Sequence, residues 1–428
     1  MKQTVGSPID LVIRNAAEVV TCIGDGMSDI GVLKDAYIAI KDGKIVEVGQ
    51  ETRGSEDFDL NSGRQIDAAG KVIAPGFVDS HTHLVFNGTR VEEYAAKLTG
   101  DEKKRLEDLG ITAGPNRTIE LTRHASEEEL FQQSKKRMMK MLDYGMTTIE
   151  SKSGYGLTTE SEIKILEVGR RLGRETPVDV LNTFLGAHGI PDGMTKDEYL
   201  RVIIEEMIPE VGKRGLAEFA DAWCDEGYFT AQESRQILEA GLKYGMRPKL
   251  HADAYSYIGG SDLAAEMNMV SVDHLNYTPE EVMDRLAESD VTGVLMPALD
   301  FAVGHKKPFD ARKMLDKGMT IALATDLCPA CYTESMQFVI NLACRLYKFS
   351  VEEAIKAATY GGARALGLDD RGVIAEGKIA DLQVWGIPSY AHVAYELGTN
   401  IVEIVLKDGE IVVDHTRITE EHAPAHQH

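Results

Sequence analysis

Between residues 74 and 376 the chain repeats one unit, a short apolar stretch followed by an amphipathic helical stretch. The apolar stretches are "GFVDSHTH", "TTIESKSG", "VDVLNTFLGAH", "EFADAWCD", "RPKLHADA", "VSVDHL", "TGVLMPA" and "TIALATD". Helix candidates such as "SEEELFQQSKKRMMKMLDYG" and "TAQESRQILEAGLKYG" lie between them. Both end at glycine, where a left-handed cap costs least. Eight strand–helix units in about 300 residues predict an α/β fold, a (β/α)8 TIM barrel.

The flanks read differently. Residues 1–73 alternate β-branched and polar residues in "DLVIRNAAEVVT", "YIAIKDGKIVEVG" and "RQIDAAGKVIA", broken by Gly and Asp turn signals. Residues 377–428 repeat the style in "KIADLQVWG" and "VEIVLKDGEIVVD", and "KDGEIV" echoes "KDGKIV". Asp-Gly between β-rich runs is a hairpin signal. The two ends therefore predict one small composite β-sandwich domain beside a barrel domain of residues 74–376. The tail "TEEHAPAHQH" reads as frayed, with solvated histidines.

Composition narrows the partners. The formal charge is −23, so nucleic acid and anionic membranes would be repelled. No apolar run reaches the ~18 residues of a membrane span, and "MKQTVGSPID" lacks a secretory pattern. Five cysteines in 428 residues read as reduced thiols of a cytoplasmic protein. "CPAC" (Cys328 to Cys331) has redox-like spacing without a thioredoxin context, and "HKKPFDARK" reads as a solvated basic loop.

In such a barrel the C-terminal ends of the strands converge on the active site. Those ends carry His81 and His83, Tyr155, His188, His251 and Asp253, His274 and Asp326. Imidazole is costly to bury without partners, so packing explains this set poorly. His81 and His83, two apart on one strand, face the same way. With His251 and Asp326 from the opposite wall they make a three-His, one-Asp metal set with room for water. Such N/O donors suit zinc, iron, manganese or nickel.

The motifs "PGFVDSHTH", the histidines ending strands five and six, and "ATD" resemble the amidohydrolase superfamily. Within it, "HTHLVFNGTR", "ESKSGYGL", "TFLGAHGIP", "LHAD", "SVDHL" and "LATDLCP" resemble the imidazolonepropionase family, nearly end to end. The resemblance implies hydrolytic opening of 4-imidazolone-5-propanoate to N-formimino-L-glutamate in histidine degradation. It implies metal ligation by His81, His83, His251 and Asp326, and substrate contacts from Arg90, Tyr155 and His188. Arg90 would face the propionate. Asp326 would move protons, and His274 would orient the attacking water or bond the carbonyl. Members with two metals use a strand-four lysine, which "EFADAWCD" lacks. One divalent ion is therefore expected, zinc or iron first, in a homodimer that takes a small anionic heterocycle.

Three positions depart from the family pattern. Ala254 stands where the family has a glutamate beside the ring. Lys103 falls near a family tyrosine that holds the propionate. Cys328 replaces an asparagine in "TDLCPA". These changes border the ring pocket, so a related ring is the alternative substrate: an N-methylated imidazolone, hydantoin or thiohydantoin propionate. A deaminase of the same superfamily is a further alternative, weakened by Ala254. A non-catalytic binding protein on the same scaffold is disfavoured, because all four metal ligands are present.

Overall fold

The computed structural model describes residues 6–100, 102–111, 113–305 and 310–416. Eight parallel strands run in chain order: β1 (Phe77–Asp79), β2 (Met146–Lys152), β3 (Asp179–Ala187), β4 (Phe219–Cys224), β5 (Arg247–Ala252), β6 (Ser271–His274), β7 (Thr292–Leu295) and β8 (Ile321–Leu323). Helices connect them on the outside, as right-handed crossovers between parallel strands require. This is the TIM-barrel architecture expected from the repeat.

The seam between β8 and β1 is closed just beyond the strand ends. Asp326 N–H donates to the His81 carbonyl at 3.0 Å, and His83 N–H donates to that of Leu327 at 2.9 Å. The Thr325 hydroxyl and N–H both donate to the Asp79 carboxylate, at 2.6 and 3.1 Å. The contacts that shut the barrel thus set Asp326 beside the two histidines.

Helix ends follow local sequence rules. Capping boxes start helices at Ser126, Thr195, Thr230 and Ser350, each closed by a glutamate three residues on. Such caps contribute ~1 kcal/mol each. The two helices expected to stop at glycine span Glu127–Asp143 and Ala231–Leu242, and Gly145 and Gly245 follow at φ 89° and 81°.

The terminal segments form one eight-stranded sheet. Its path runs Glu410–Asp414, Val402–Lys407, Leu382–Trp385, Val72–Pro75, Leu11–Val20, Val32–Lys41, Lys44–Gln50, with Arg64–Asp67 also paired to Leu11–Val20. Both chain ends thus contribute to one sheet that packs over its own apolar core. Lys44 meets Ile379 across the open side, and Ile13, Ile38, Ile73, Leu382 and Leu406 pack inside. Chain passes from this sheet to the barrel at Gly76, whose N–H donates to the Asp381 carbonyl at 2.9 Å. The "HAPAHQH" tail lies outside the described residues. No described helix is long and apolar enough to cross a membrane.

The helical segment at 357–365 packs directly on both strands of the seam. A Cβ on Gly361 would lie 2.0 Å from the Ile321 carbonyl oxygen, and one on Gly362 2.2 Å from that of Val78. Alanine in a helix normally gains ~1 kcal/mol over glycine. Overpacking against a strand backbone costs ~1–3 kcal/mol. Gly361→Ala is therefore expected to destabilise the protein despite its better propensity, lowering the urea midpoint. An unchanged or raised midpoint would show that the helix can back away from the seam.

Candidate metal centre and its cavity

The site is assembled from strand ends. His81 and His83 lie on the extended segment that continues β1, with ring centroids 5.6 Å apart. His251 is the penultimate residue of β5, and its ring lies 4.6 Å from that of His81. Asp326 follows β8, with Oδ1 at 3.7 Å from His81 Nε2 and 3.8 Å from His83 Nε2. The nitrogens of His81, His83 and His251 lie within 4.8 Å of one another, spacing that one cation could share. In these four residues, four atoms are buried and lack a hydrogen-bond partner among the described residues: His81 Nε2, His83 Nδ1, His251 Nε2 and Asp326 Oδ1. Orphaned buried polar atoms are costly, and a divalent cation here would relieve that cost; His81 groups with His83 and His251 on one side and with His274 and Asp326 on the other.

Protonation suits the same purpose. Burial, reinforced by nearby positive charge, holds His81, His83 and His251 well below the usual imidazole range. They are neutral donors at pH 7. Burial drives the Asp326 carboxyl well above its ordinary value, against the pull of Lys152. A cation at this place would restore the carboxylate.

The imidazoles are oriented from below. His81 Nδ1 lies 2.7 Å from Asp273 Oδ2, and His251 Nδ1 lies 2.8 Å from Asp221 Oδ2. A carboxylate acceptor requires hydrogen on Nδ1 and leaves the Nε2 lone pair free. The same two oxygens receive Lys152 Nζ, at 2.8 Å from Asp221 and 3.2 Å from Asp273. Lys152 also meets Glu150 at 3.1 Å, and Lys249 bonds Glu150 at 2.9 Å. All five side chains are fully buried. Burial alone would strip the Lys152 proton, yet Asp221, Glu150 and Asp273 outweigh it and hold the ammonium charged.

Above the centre opens a cavity of about 560 Å³. Tyr155, His188, His274, Arg90 and Cys328 line it. His188 stacks on His83 at 4.6 Å, and its Nδ1 lies 3.2 Å from the Gly154 carbonyl. His274 sits 5.1 Å from His251 and 5.4 Å from His81, ring to ring, with φ at 82°. Burial brings both His188 and His274 down to about 4. Arg90 forms a two-point pair with Glu93, which also accepts from Lys97 Nζ at 2.8 Å and Gly114 N–H at 2.7 Å. Burial would raise the Glu93 carboxyl, but these partners bring it down to about 2. Arg90 and Lys97 thus bring two cationic groups to this end of the cavity.

Some expected residues stand elsewhere. Helix Val91–Thr99 ends at Gly100 in the left-handed conformation. Lys103 falls on the next helix, Glu102–Leu109, exposed and away from the cavity wall; Lys97 lines the cavity instead. Ala254 is 3% exposed and sits behind the wall, its N–H on Asp225 at 3.0 Å. Its neighbour Tyr255 lines the cavity. Asp253 accepts from the Thr278 hydroxyl at 2.7 Å, a structural use. Cys328 and Cys331 are buried, and burial pushes both thiols up, which leaves them unreactive. In the basic run, His305 reaches the Ala254 carbonyl at 2.8 Å, and residues 306–309 lie outside the described residues.

Lys152, Asp221, Asp273 and the aromatic residues around Trp223 are absent from the sequence reading. The signal was present as charge inside otherwise apolar strands, Glu150 and Lys152 two apart in "IESK". For Lys152→Met, loss of one member of a buried charge cluster is expected to cost ~3–5 kcal/mol. Weakened support of metal-ligand histidines typically costs ~10–100-fold in affinity. Urea unfolding of the metal-free protein and zinc binding by equilibrium dialysis read the two effects separately. Wild-type zinc affinity in this variant would show that Asp221 and Asp273 hold the imidazoles unaided.

Known proteins place this geometry in context. The Amidohydrolase family model matches residues 229–412. An imidazolonepropionase of Geobacillus kaustophilus is 41% identical over 422 residues, covering 95% of this chain and 99% of its own. One from Clostridium tetani is 40% identical, covering 94% and 98%. One from Haloarcula marismortui is 39% identical, covering 94% and 96%. Among solved structures, an adenosine deaminase from Xanthomonas campestris with bound zinc superposes with a TM-score of 0.69 at 18% identity, covering 96% of this chain and 94% of its own. A zinc complex of an atrazine chlorohydrolase mutant from Arthrobacter aurescens gives 0.69 at 19%, covering 96% and 98%. At those identities the structural matches speak for the fold. Identity near 40% along almost the whole length carries further: the chain belongs to the imidazolonepropionase family of amidohydrolases.

Proposed function

We propose that the chain opens 4-imidazolone-5-propanoate to N-formimino-L-glutamate, a step of histidine degradation. It is a hydrolase of carbon–nitrogen bonds in cyclic amides. The observation that carries the reading is the set of unpartnered donors of His81, His251 and Asp326, with His83 beside them, on the floor of a cavity also lined by Arg90 and Lys97. These four residues would hold one divalent ion, zinc or iron. Such an ion supplies electrophilic activation and hydroxide at neutral pH.

The chain's own groups do the rest. Arg90, with Lys97 behind it, binds the propionate carboxylate as charge-assisted pairs. Tyr155 and His188 border the ring between that end and the centre. His274, neutral at pH 7, offers a hydrogen bond to the carbonyl oxygen as charge develops there. Asp326 accepts the proton of the attacking water and returns it to the ring nitrogen as the amide C–N bond breaks. Cys328 borders the same space as a small apolar group. A cytoplasmic homodimer acting on this small anionic heterocycle completes the reading.

A single ion fits better than two. The two acid-rich groups beneath, around Glu150, Asp221 and Asp273, enclose the Lys152 ammonium. That charge already fills the place a second cation would need.

Purified protein reconstituted with zinc or iron is expected to convert the imidazolone ring to N-formimino-L-glutamate without releasing ammonia. Chelation should abolish turnover, and the ion should restore it. Asp326→Asn should lower kcat by ~10²–10⁴-fold. Arg90→Met should raise KM by ~10–100-fold, since a charge-assisted bond contributes ~1.5–3 kcal/mol. Stoichiometric ammonia would turn the reading to deamination, and no turnover of the ring would end it.

A further inference from the structure

Beyond His188 the cavity wall is aromatic. Trp223 follows His188 round the wall, with ring centroids 5.3 Å apart, and stands 6.4 Å from His251. Tyr228 stacks on Trp223 at 3.7 Å and 17°. Tyr255 lies 6.4 Å from Trp223 and close enough to Asp326 to feel its charge. All three line the cavity, Tyr255 with half its surface exposed.

This wall is held rigidly. Buried Asp225 accepts the Trp223 indole N–H at 3.0 Å, and the N–H groups of Ala254 at 3.0 Å, Tyr255 at 3.2 Å and Ser256 at 2.7 Å. One carboxylate therefore fixes the indole and the backbone that carries Tyr255. His305 braces the other side, stacked on Tyr255 at 5.5 Å.

Two consequences follow for a ring bound over the centre. Asp225 is wholly committed to these bonds, and Asp326 is the one carboxylate among the described residues that line the cavity. A ring N–H turned towards Trp223 leaves water and finds aromatic surface in place of a carboxylate. A methyl group on that nitrogen has no donor to lose and gains apolar contact. Resting on the ring-opening function proposed above, we infer that Trp223, Tyr228 and Tyr255 form a specificity wall. It favours a five-membered cyclic amide propionate bearing a small alkyl group on a ring nitrogen over the unsubstituted imidazolone. The chemistry is unchanged: water adds to the carbonyl carbon, the C–N bond breaks, and the nitrogen takes the proton.

The test is kcat/KM of the metal-loaded protein on 4-imidazolone-5-propanoate and on its two ring N-methyl derivatives. One N-methyl derivative is expected to exceed the parent by at least ~10-fold, the lower range for one added methyl in an apolar pocket. Tyr255→Ala and Tyr228→Val should each bring that ratio below about 3-fold, chiefly by lowering the methylated substrate's value. Tyr255 is half exposed, so its truncation removes little buried surface. Equal or better use of the parent by the wild type overturns the wall, while the ring-opening reading stands. So does an equal fall for both substrates in both variants, which marks a merely structural role. If none of the three rings is opened, the proposed function fails and the inference falls with it.

Discussion

One ammonium underlies the centre. Lys152 Nζ touches the two carboxylate oxygens that hold the imidazoles of His81 and His251. Removing five ionised groups from water costs several kcal/mol each after relaxation. A cluster of that kind is poor evidence for stability, because well-packed apolar residues often do as well. Its use here is positional. Each carboxylate is fixed from below by Lys152 and so presents one defined oxygen to an Nδ1 hydrogen. Three acids against two lysines also leave excess negative charge under the donors, which favours a cation above them.

The rest of the site inherits its precision from strand geometry. β1 and β8 are short, and the bonds that join them lie beyond both, between residues 81–83 and 325–327. Barrel closure and assembly of the donor set are therefore one event. Asp326 takes the left-handed conformation there, φ 48°, as does His274 at φ 82°. For residues that carry a Cβ this costs ~1–3 kcal/mol each and persists only where the surroundings over-determine it. The seam bonds do so for Asp326, whose N–H is tied to His81.

What the sequence made legible follows the same division. Strand-end residues could be listed from the repeat alone, because a barrel fixes where strand ends go. His81, His83, His188, His251, His274 and Asp326 do meet there. Loop residues could not be placed in this way. Spacing from Arg90 points to Lys103, but the helix ends at Gly100 and Lys97, before it, lines the cavity. Ala254 was identified as the altered contact, yet Asp225, some 30 positions earlier, pulls that backbone inward and turns Tyr255 to the cavity. The internal charges were hidden for another reason. Lys152 and Asp221 are 69 positions apart, and their burial is tolerated only within the cluster that they form with Glu150 and Asp273.

Counting cations shows why placement outranks composition. Four groups of buried histidines and acids have donor atoms close enough to share an ion. By residue type alone, two of them, Asp221 with His251 and Asp273, and His81 with Glu150 and Asp273, rank with the others. Both contain oxygens within 3.2 Å of Lys152 Nζ, so their negative charge is already met, and their histidines present the hydrogen-bearing Nδ1 face. A second ion would have to expel the lysine and strip two imidazole hydrogens. The unpartnered Nε2 atoms of His81 and His251 lie on the ring edge opposite those bonds. The same lysine that orients the imidazoles therefore opposes a cation at these two groups.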